Sequence, residues 1–313
     1  MEKPGPLLSA IVVVGRCRGR AQRVLDALAN QTCASSIEVV LVDLEPEQEP
    51  LNPQLATAVY LPMPPAATFA RARATGALRA RAPVVAFIED HCYPTRQWAE
   101  ALIEAHRGPW AAVGYAFTNA NPDNYVARSA MVLDYGLWTH PAAGGSSELL
   151  PYNNCSYKRE TLLSLGPALE YSLTPDFNLH RELTRRGLPM CVEPRALAAH
   201  ENFTRLGDLT AAQYHYCRHL AARRVREGWS PRRRAIYAVA TPFGAPLVGL
   251  GRLLRSLRGR ASLVSDVTRA LPVILVGALA GALGESIGYA IGEGHSERAA
   301  NFLEVDAARG LGE

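Results

Sequence analysis

Val84-Val85-Ala86-Phe87-Ile88-Glu89-Asp90-His91 carries five apolar residues straight into two acids and an imidazole. The apolar part has the length of a buried strand, and β-branched and aromatic side chains favour that state. Three groups that ionise or bind metals are costly to bury without partners, so the end of this strand is expected to face a cleft. Carboxylate oxygens with an imidazole suit Mg2+ or Mn2+ better than zinc alone. A polar turn leading into Tyr93-Pro94 is the simpler alternative.

Working outward, residues 8–14, 37–42, 58–61 and 111–115 also read as short apolar strands. Residues 20–30, 68–80 and 98–106 between them read as helices, from apolar positions three and four apart. Strands alternating with helices predict an α/β fold with a mostly parallel central sheet covered on both faces. Ligands in such sheets bind beyond the carboxyl ends of the strands. That rule brings Asp43, after the second strand, to the same edge as Glu89-Asp90-His91. Residues 119–150 read as irregular, 153–166 as a polar turn and short helix, and 176–187 as a helix stopped by Gly187 and Pro189. Residues 192–199 read as a strand ending at His200. Asp43 is a ligand acceptor or a loop cap, Asp176 an active carboxylate or a helix N-cap, and His200 a ligand or a structural imidazole. The chain has neither a Gly-x-Gly-x-x-Gly dinucleotide turn nor a phosphate-loop motif.

The 313 residues are 48% hydrophobic with a net charge of +4, which excludes a disordered chain and allows a full core. The six cysteines form no Cys-x-x-Cys pair, so they read as buried free thiols rather than a zinc site or a disulfide framework. The apolar run 7–14 follows Pro-Gly-Pro and meets Arg16, which fits a buried strand better than an export signal. From Glu201 to Ala270 thirteen Arg face four acids. Nucleic acid and an anionic membrane surface are both candidate partners for such a stretch; aromatics to stack bases are few there, and the neighbouring apolar segments favour the membrane over nucleic acid. Residues 235–251 are uncharged but carry Pro242 and Pro246, which are expected to break them into an interfacial or re-entrant piece. Residues 271–291 are apolar for about the 20 residues a bilayer helix needs, interrupted by Glu285. Their small residues Gly277, Gly281, Gly284 and Gly288 would let helices approach closely. The alternative is a buried soluble helix pair.

These motifs, in this order, resemble family 2 glycosyltransferases of the GT-A fold, over Leu8 to about Phe203. The first loop is Val14-Gly15-Arg16 and the acidic motif after the second strand is Val42-Asp43-Leu44-Glu45. Arg73-Ala74-Thr75-Gly76 matches an Arg-Asn-x-Gly element, and Glu89-Asp90-His91 before Pro94 and Trp98 matches the Asp-x-Asp metal motif. Asn154 through Arg159 match an acceptor-side Asn and basic pair, Pro175-Asp176 a Glu-Asp motif, and His200 a histidine after the next strand. Gly288-Tyr289-Ala290-Ile291-Gly292-Glu293-Gly294 is similar to the tail of a subgroup that has Glu-Asp-His in place of Asp-x-Asp.

The resemblance implies two regions: a GT-A domain over 1–205, and an Arg-rich, helical, membrane-associated region over 206–313. It implies inverting transfer of a sugar from a nucleotide-sugar donor to a lipid-linked acceptor or a growing glycan of the cell envelope, at the cytoplasmic membrane face. Asp176 would be the general base. Asp43, Arg73, Asp90, Asn154 and Arg159 would bind the nucleotide-sugar. Glu89, His91 and His200 would hold a divalent cation, Mn2+ or Mg2+. Leu44, Ala74 and Pro175 depart from the family pattern and keep a catalytically silent scaffold open. The Gly15–Arg20 loop keeps a nucleotidyltransferase open. The oligomeric state, a homo-oligomer included, is not legible.

Overall fold

The computed structural model describes residues 5–55, 57–64, 67–174, 178–256, 261–307 and 309. Its strands are β1 (Leu8–Val14), β2 (Ile37–Asp43), β3 (Ala58–Pro62), β4 (Val84–Glu89), β5 (Cys92–Pro94), β6 (Ala112–Asn119), β7 (Gly145–Ser146), β8 (Cys155–Lys158) and β9 (Met190–His200). The helices are α1 (Arg18–Ala29), α2 (Phe69–Arg79), α3 (Trp98–Ala105), α4 (Tyr125–Tyr135), α5 (Arg159–Leu163), α6 (Leu169–Ser172), α7 (Asn178–Arg185), α8 (Leu206–Arg226), α9 (Pro231–Ser256), α10 (Ala261–Ile291) and α11 (Ser296–Val305). The described residues form two compact units, one within 5–120 and 138–200, the other within 121–137 and 201–309.

The first unit is built on one sheet in the order β3-β2-β1-β4-β8-β6-β9-β5, with β7 beside β9. The run β3-β2-β1-β4 is parallel throughout. Strands β1, β2 and β4 are buried at every position, as β-branched runs in a sheet covered on both faces should be. Helix α2 lies close on this sheet because Gly76 has no side chain. A methyl group there would come within 2.6 Å of Ile11 Cγ2. Strand β8, which the sequence reading takes as a turn, enters antiparallel between β4 and β6. Four residues with a Ser and a Lys carry too little apolar signal to be seen.

Two core histidines of this unit bear on its stability. Burial, and then the Arg73 guanidinium, push His180 down to about 3. Burial, and then Lys158, push His106 down to about 4. Both are therefore neutral when folded, and His106 Nε2 meets Ser156 Oγ at 2.9 Å. Below the ordinary histidine range the unfolded chain binds protons that the folded chain refuses. Stability is thus whole above about pH 6.5 and is lost as pH falls toward the folded values. Each histidine adds up to about 1.4 kcal/mol per pH unit to that slope. His106→Gln is expected to take about one such increment off the slope near pH 5, read from urea unfolding at several pH values. An unchanged slope would show that His106 titrates normally in the fold.

The second unit is helical. Residues 119–150, expected to be irregular, contain the eleven-residue α4. Asn124 caps it by accepting the Ala127 N–H, and Ala130 joins a core with Phe203, Leu209, Val273 and Ala307. The glycines of α10 seat it against α8. A methyl group on Gly284 would lie 2.1 Å from the Tyr214 carbonyl oxygen, and one on Gly288 would lie 2.5 Å from that of Arg218. Glu285, the lone acid in the apolar run, meets Arg224 of α8 at 2.5 Å and the Tyr289 hydroxyl at 2.8 Å.

Pro242 and Pro246 were expected to interrupt the chain, yet α9 runs through both. A proline in a helix leaves the carbonyl four residues earlier without its N–H. The Ser286 hydroxyl donates to that carbonyl, Ala238 O, at 2.6 Å. The lost bond is replaced from α10, which local sequence does not reveal.

Candidate active site

Register brings the polar strand ends together. Strand β1 lies between β2 and β4, with Val14 beside Asp43 and Val13 beside Glu89, so Asp43 and Glu89 leave the sheet at one edge. Antiparallel β8 pairs Ser156 with Ala86, so Asn153 and Asn154, just before it, arrive at the Glu89 end. Strand β9 ends with His200 opposite both Asn119 of β6 and Cys92 of β5. The His200 ring thereby meets the His91 ring, 4.8 Å between centres.

Glu89 is the hub of this edge. Its Oε1 accepts from Asn153 Nδ2 at 2.6 Å, and its Oε2 accepts from Asn154 Nδ2. His200 Nε2 stands 3.1 Å from the same Oε2, and His91 Nε2 stands 3.7 Å from it. Asn154 also accepts the Glu89 backbone N–H at 3.0 Å and the Tyr115 hydroxyl at 3.1 Å, which fixes its amide. Glu89, His91 and His200 are all buried, and their donor atoms lie within 4.8 Å of one another.

Asp90 orients the site. Its Oδ1 lies 2.9 Å from His91 Nδ1, and its Oδ2 accepts from Arg20 Nε at 3.1 Å. A carboxylate on one imidazole nitrogen favours the tautomer whose other nitrogen can bind a cation. Asp90, expected to bind the nucleotide-sugar, is met here by Arg20 and His91. Sequence reading missed Arg20. The available signal was that a buried aspartate needs a cation and that the Arg-rich start of α1 follows β1.

Asp43 is likewise enclosed. Arg18 grips it with two bonds of 3.0 Å, the Tyr60 hydroxyl donates at 3.0 Å, and the Glu45 N–H donates at 3.0 Å. These four donors use the four acceptor positions of a carboxylate, so here Asp43 organises the loop.

Arg73 and Arg159 are held by other parts of the first unit. Arg73 is buried under the Phe87 ring, 4.2 Å from its centre, and donates to the carbonyls of Leu173 at 3.1 Å and Tyr152 at 2.9 Å. It fastens two segments of chain. Arg159, expected in the sugar or acceptor pocket, is at the opposite end of the sheet. It follows Lys158, which pairs with Val84 at the start of β4, and its Nε donates to Ala80 O at 2.7 Å. The antiparallel course of β8 carries it away from Glu89. Asp176 lies outside the described residues.

Residues 9–141 match the family model described as glycosyl transferase family 2. None of the curated proteins matches the chain in sequence. Among solved structures, the mannosyltransferase PcManGT from Pyrobaculum calidifontis, in complex with GDP-Man and Mn2+, is similar at 17% identity and a TM-score of 0.57. That match covers 92% of this chain and 88% of the other. GalNAc-T7 with UDP, GalNAc and Mn2+ matches at 13% identity and a TM-score of 0.48, over 64% of this chain and 44% of the other. At such identities the first likeness speaks for the fold.

Proposed function

We propose, from the match of residues 9–141 to glycosyl transferase family 2, that the chain moves a sugar, with inversion, from a nucleotide-diphosphate donor to a lipid-linked or glycan acceptor at a membrane surface. The observation that carries the reading is the convergence of Glu89, His91 and His200 at the edge where a parallel sheet binds its ligands. One carboxylate with two imidazoles suits Mn2+ better than Mg2+, which prefers oxygen. A divalent cation held there supplies positive charge for the departing diphosphate.

The remaining work falls to the chain itself. The Arg18–Asp43–Tyr60 frame shapes the loop where the base and ribose are received. Asn153 and Asn154 keep Glu89 aimed, and Asp90 keeps His91 aimed. Arg73 holds the Leu173 carbonyl, three residues before Asp176. Asp176 takes the proton of the acceptor hydroxyl as its oxygen bonds to the anomeric carbon. The bond from that carbon to the diphosphate breaks in the same step, and the nucleoside diphosphate leaves. A single displacement of this kind inverts the anomeric centre.

The second unit holds the enzyme on the lipid. Ile236, Val239, Phe243, Leu247, Leu250 and Leu254 are exposed and recur at three- and four-residue spacing, one apolar stripe along α9. Arg232, Arg233 and Arg234 open the same helix, a charge that suits anionic lipid and the cytoplasmic side. In α10, Val264–Ile291 is long and apolar enough to cross a bilayer, with a mean hydropathy of 1.8. Its Glu285–Arg224 pair and its close seat on α8 favour a hairpin lying on the membrane over a lone span. Phe243→Asp is expected to cut binding to anionic vesicles at least about tenfold, since one buried aromatic is worth about 1.5–3 kcal/mol. Sedimentation with vesicles checks this, and unaltered binding would remove α9 from the contact.

The function is tested by incubating purified enzyme with GDP-, UDP-, TDP- and CMP-sugars and lipid extract, with and without Mn2+. Release of one nucleotide only when metal and extract are both present is the expected result. Absence of turnover with intact metal and nucleotide binding would favour the silent scaffold. Consumption of a nucleoside triphosphate would favour the nucleotidyltransferase.

A further inference from the structure

A second constellation of metal-binding side chains lies wholly in the helical unit. His215 and His219 stand one turn apart on α8. Facing them is the short link from α10 into α11. Gly292 and Gly294 of this link take left-handed φ values of 84° and 57°, which double the chain back. The turn delivers Glu293 and, one helical turn later, Glu297 beside His219. The donor atoms of His219, Glu293 and Glu297 lie within 4.8 Å of one another. His215 Nδ1 is 3.0 Å from Ser296 Oγ, and its ring centre is 5.1 Å from that of His295, so a second pair of imidazoles continues the same seam.

Two guanidiniums face this link, Arg226 on Glu293 and Arg218, whose Nε donates to Gly292 O at 2.9 Å. Glu293 contacts His219 Nδ1 and Arg226, which accounts for one carboxylate. Glu297 has no hydrogen bond or ion pair of its side chain among the described residues, yet it is brought up to the first carboxylate. The start of α11 favours an acid at that position, but it does not offset the repulsion between two acids at this range.

We propose that His219, Glu293 and Glu297 bind a zinc-class divalent cation that clasps the 292–297 link onto α8. Zinc accepts such a mixed set of imidazole nitrogen and carboxylate oxygens, usually in fourfold coordination, and other first-row divalent ions share this preference. The donors come from segments about 75 residues apart, so the ion acts as a staple of the helical unit. The site shares no residue with the Glu89 cluster, and its existence does not depend on sugar transfer.

The test uses the full chain in detergent, stripped with a chelator, reloaded with Zn2+ and desalted. Zinc per chain is counted by mass spectrometry for wild type, Glu297→Gln and His219→Ala. Glu297→Gln alters a side chain with no hydrogen bond or ion pair among the described residues, so the fold should survive it, and circular dichroism verifies this. Each variant is expected to retain one zinc fewer than wild type. Each should also lose a Zn2+-induced rise in Tm of about 5 °C, the size expected for tight binding to a domain of this length. Reloading with Co2+ should give visible d–d absorption that Glu297→Gln abolishes. Equal zinc counts and equal Tm shifts in wild type and folded Glu297→Gln would overturn the site and leave a His219–Glu293–Arg226 ion-pair cluster.

Discussion

Glu89→Gln is expected to lower sugar transfer about 10³-fold and to abolish the dependence of nucleotide binding on Mn2+. The glutamine has nearly the same shape and can still meet some of the surrounding donors. What it lacks is the negative charge that faces His91 Nε2 and His200 Nε2. Without that charge the two imidazoles hold a divalent cation weakly, and the diphosphate departs without its counter-charge. Several kcal/mol of charge stabilisation in the transition state corresponds to a loss of that order. Initial rates at saturating donor, with Tm alongside, separate this from misfolding. A well-folded Glu89→Gln enzyme that transfers sugar at the wild-type rate would take Glu89 out of the chemistry.

Asp176→Asn is expected to lower kcat about 10²–10⁴-fold, the range of a lost general base. KM for the donor should move little, because the donor is held elsewhere. The acidic limb of the kcat/KM profile against pH should vanish with the carboxylate that titrates on it. This pattern differs from that of Glu89→Gln, which also removes metal-dependent binding. If Asp176→Asn retains transfer with an unaltered pH profile, another group takes the proton.

The parallel half of the sheet is legible because it is buried on both faces. Continuous runs such as Ile11-Val12-Val13-Val14 and Val39-Val40-Leu41-Val42 have no other comfortable state. Their direction then puts Asp43 and Glu89 at one edge without further information. His200 is legible as a strand end, but its meeting with His91 depends on β5, a three-residue strand that pairs Cys92 with His200. What escapes reading depends on distant partners. The direction of β8 is set by β4 and β6, and it decides that Asn154 joins Glu89 while Arg159 does not. Arg18 and Arg20 look like solvated charges in sequence, yet they neutralise Asp43 and Asp90 in the fold. The continuity of α9 past Pro242 rests on a hydroxyl from another helix. Four expected binding positions have protein partners that the sequence does not reveal. Asp43 is met by Arg18 and Tyr60, Asp90 by Arg20 and His91, Arg73 by the Leu173 and Tyr152 carbonyls, and Arg159 by Ala80 at the opposite end of the sheet from Glu89.

The most direct test is calorimetric titration of GDP, UDP, TDP and CMP into the wild-type enzyme and His91→Ala, with and without Mn2+. One nucleotide is expected to bind wild type tightly only with Mn2+. His91→Ala is expected to lose at least about tenfold in that metal-dependent affinity while its fold persists. Equal affinity with and without Mn2+, or a folded His91→Ala that keeps the full metal effect, would contradict a cation site built from Glu89, His91 and His200.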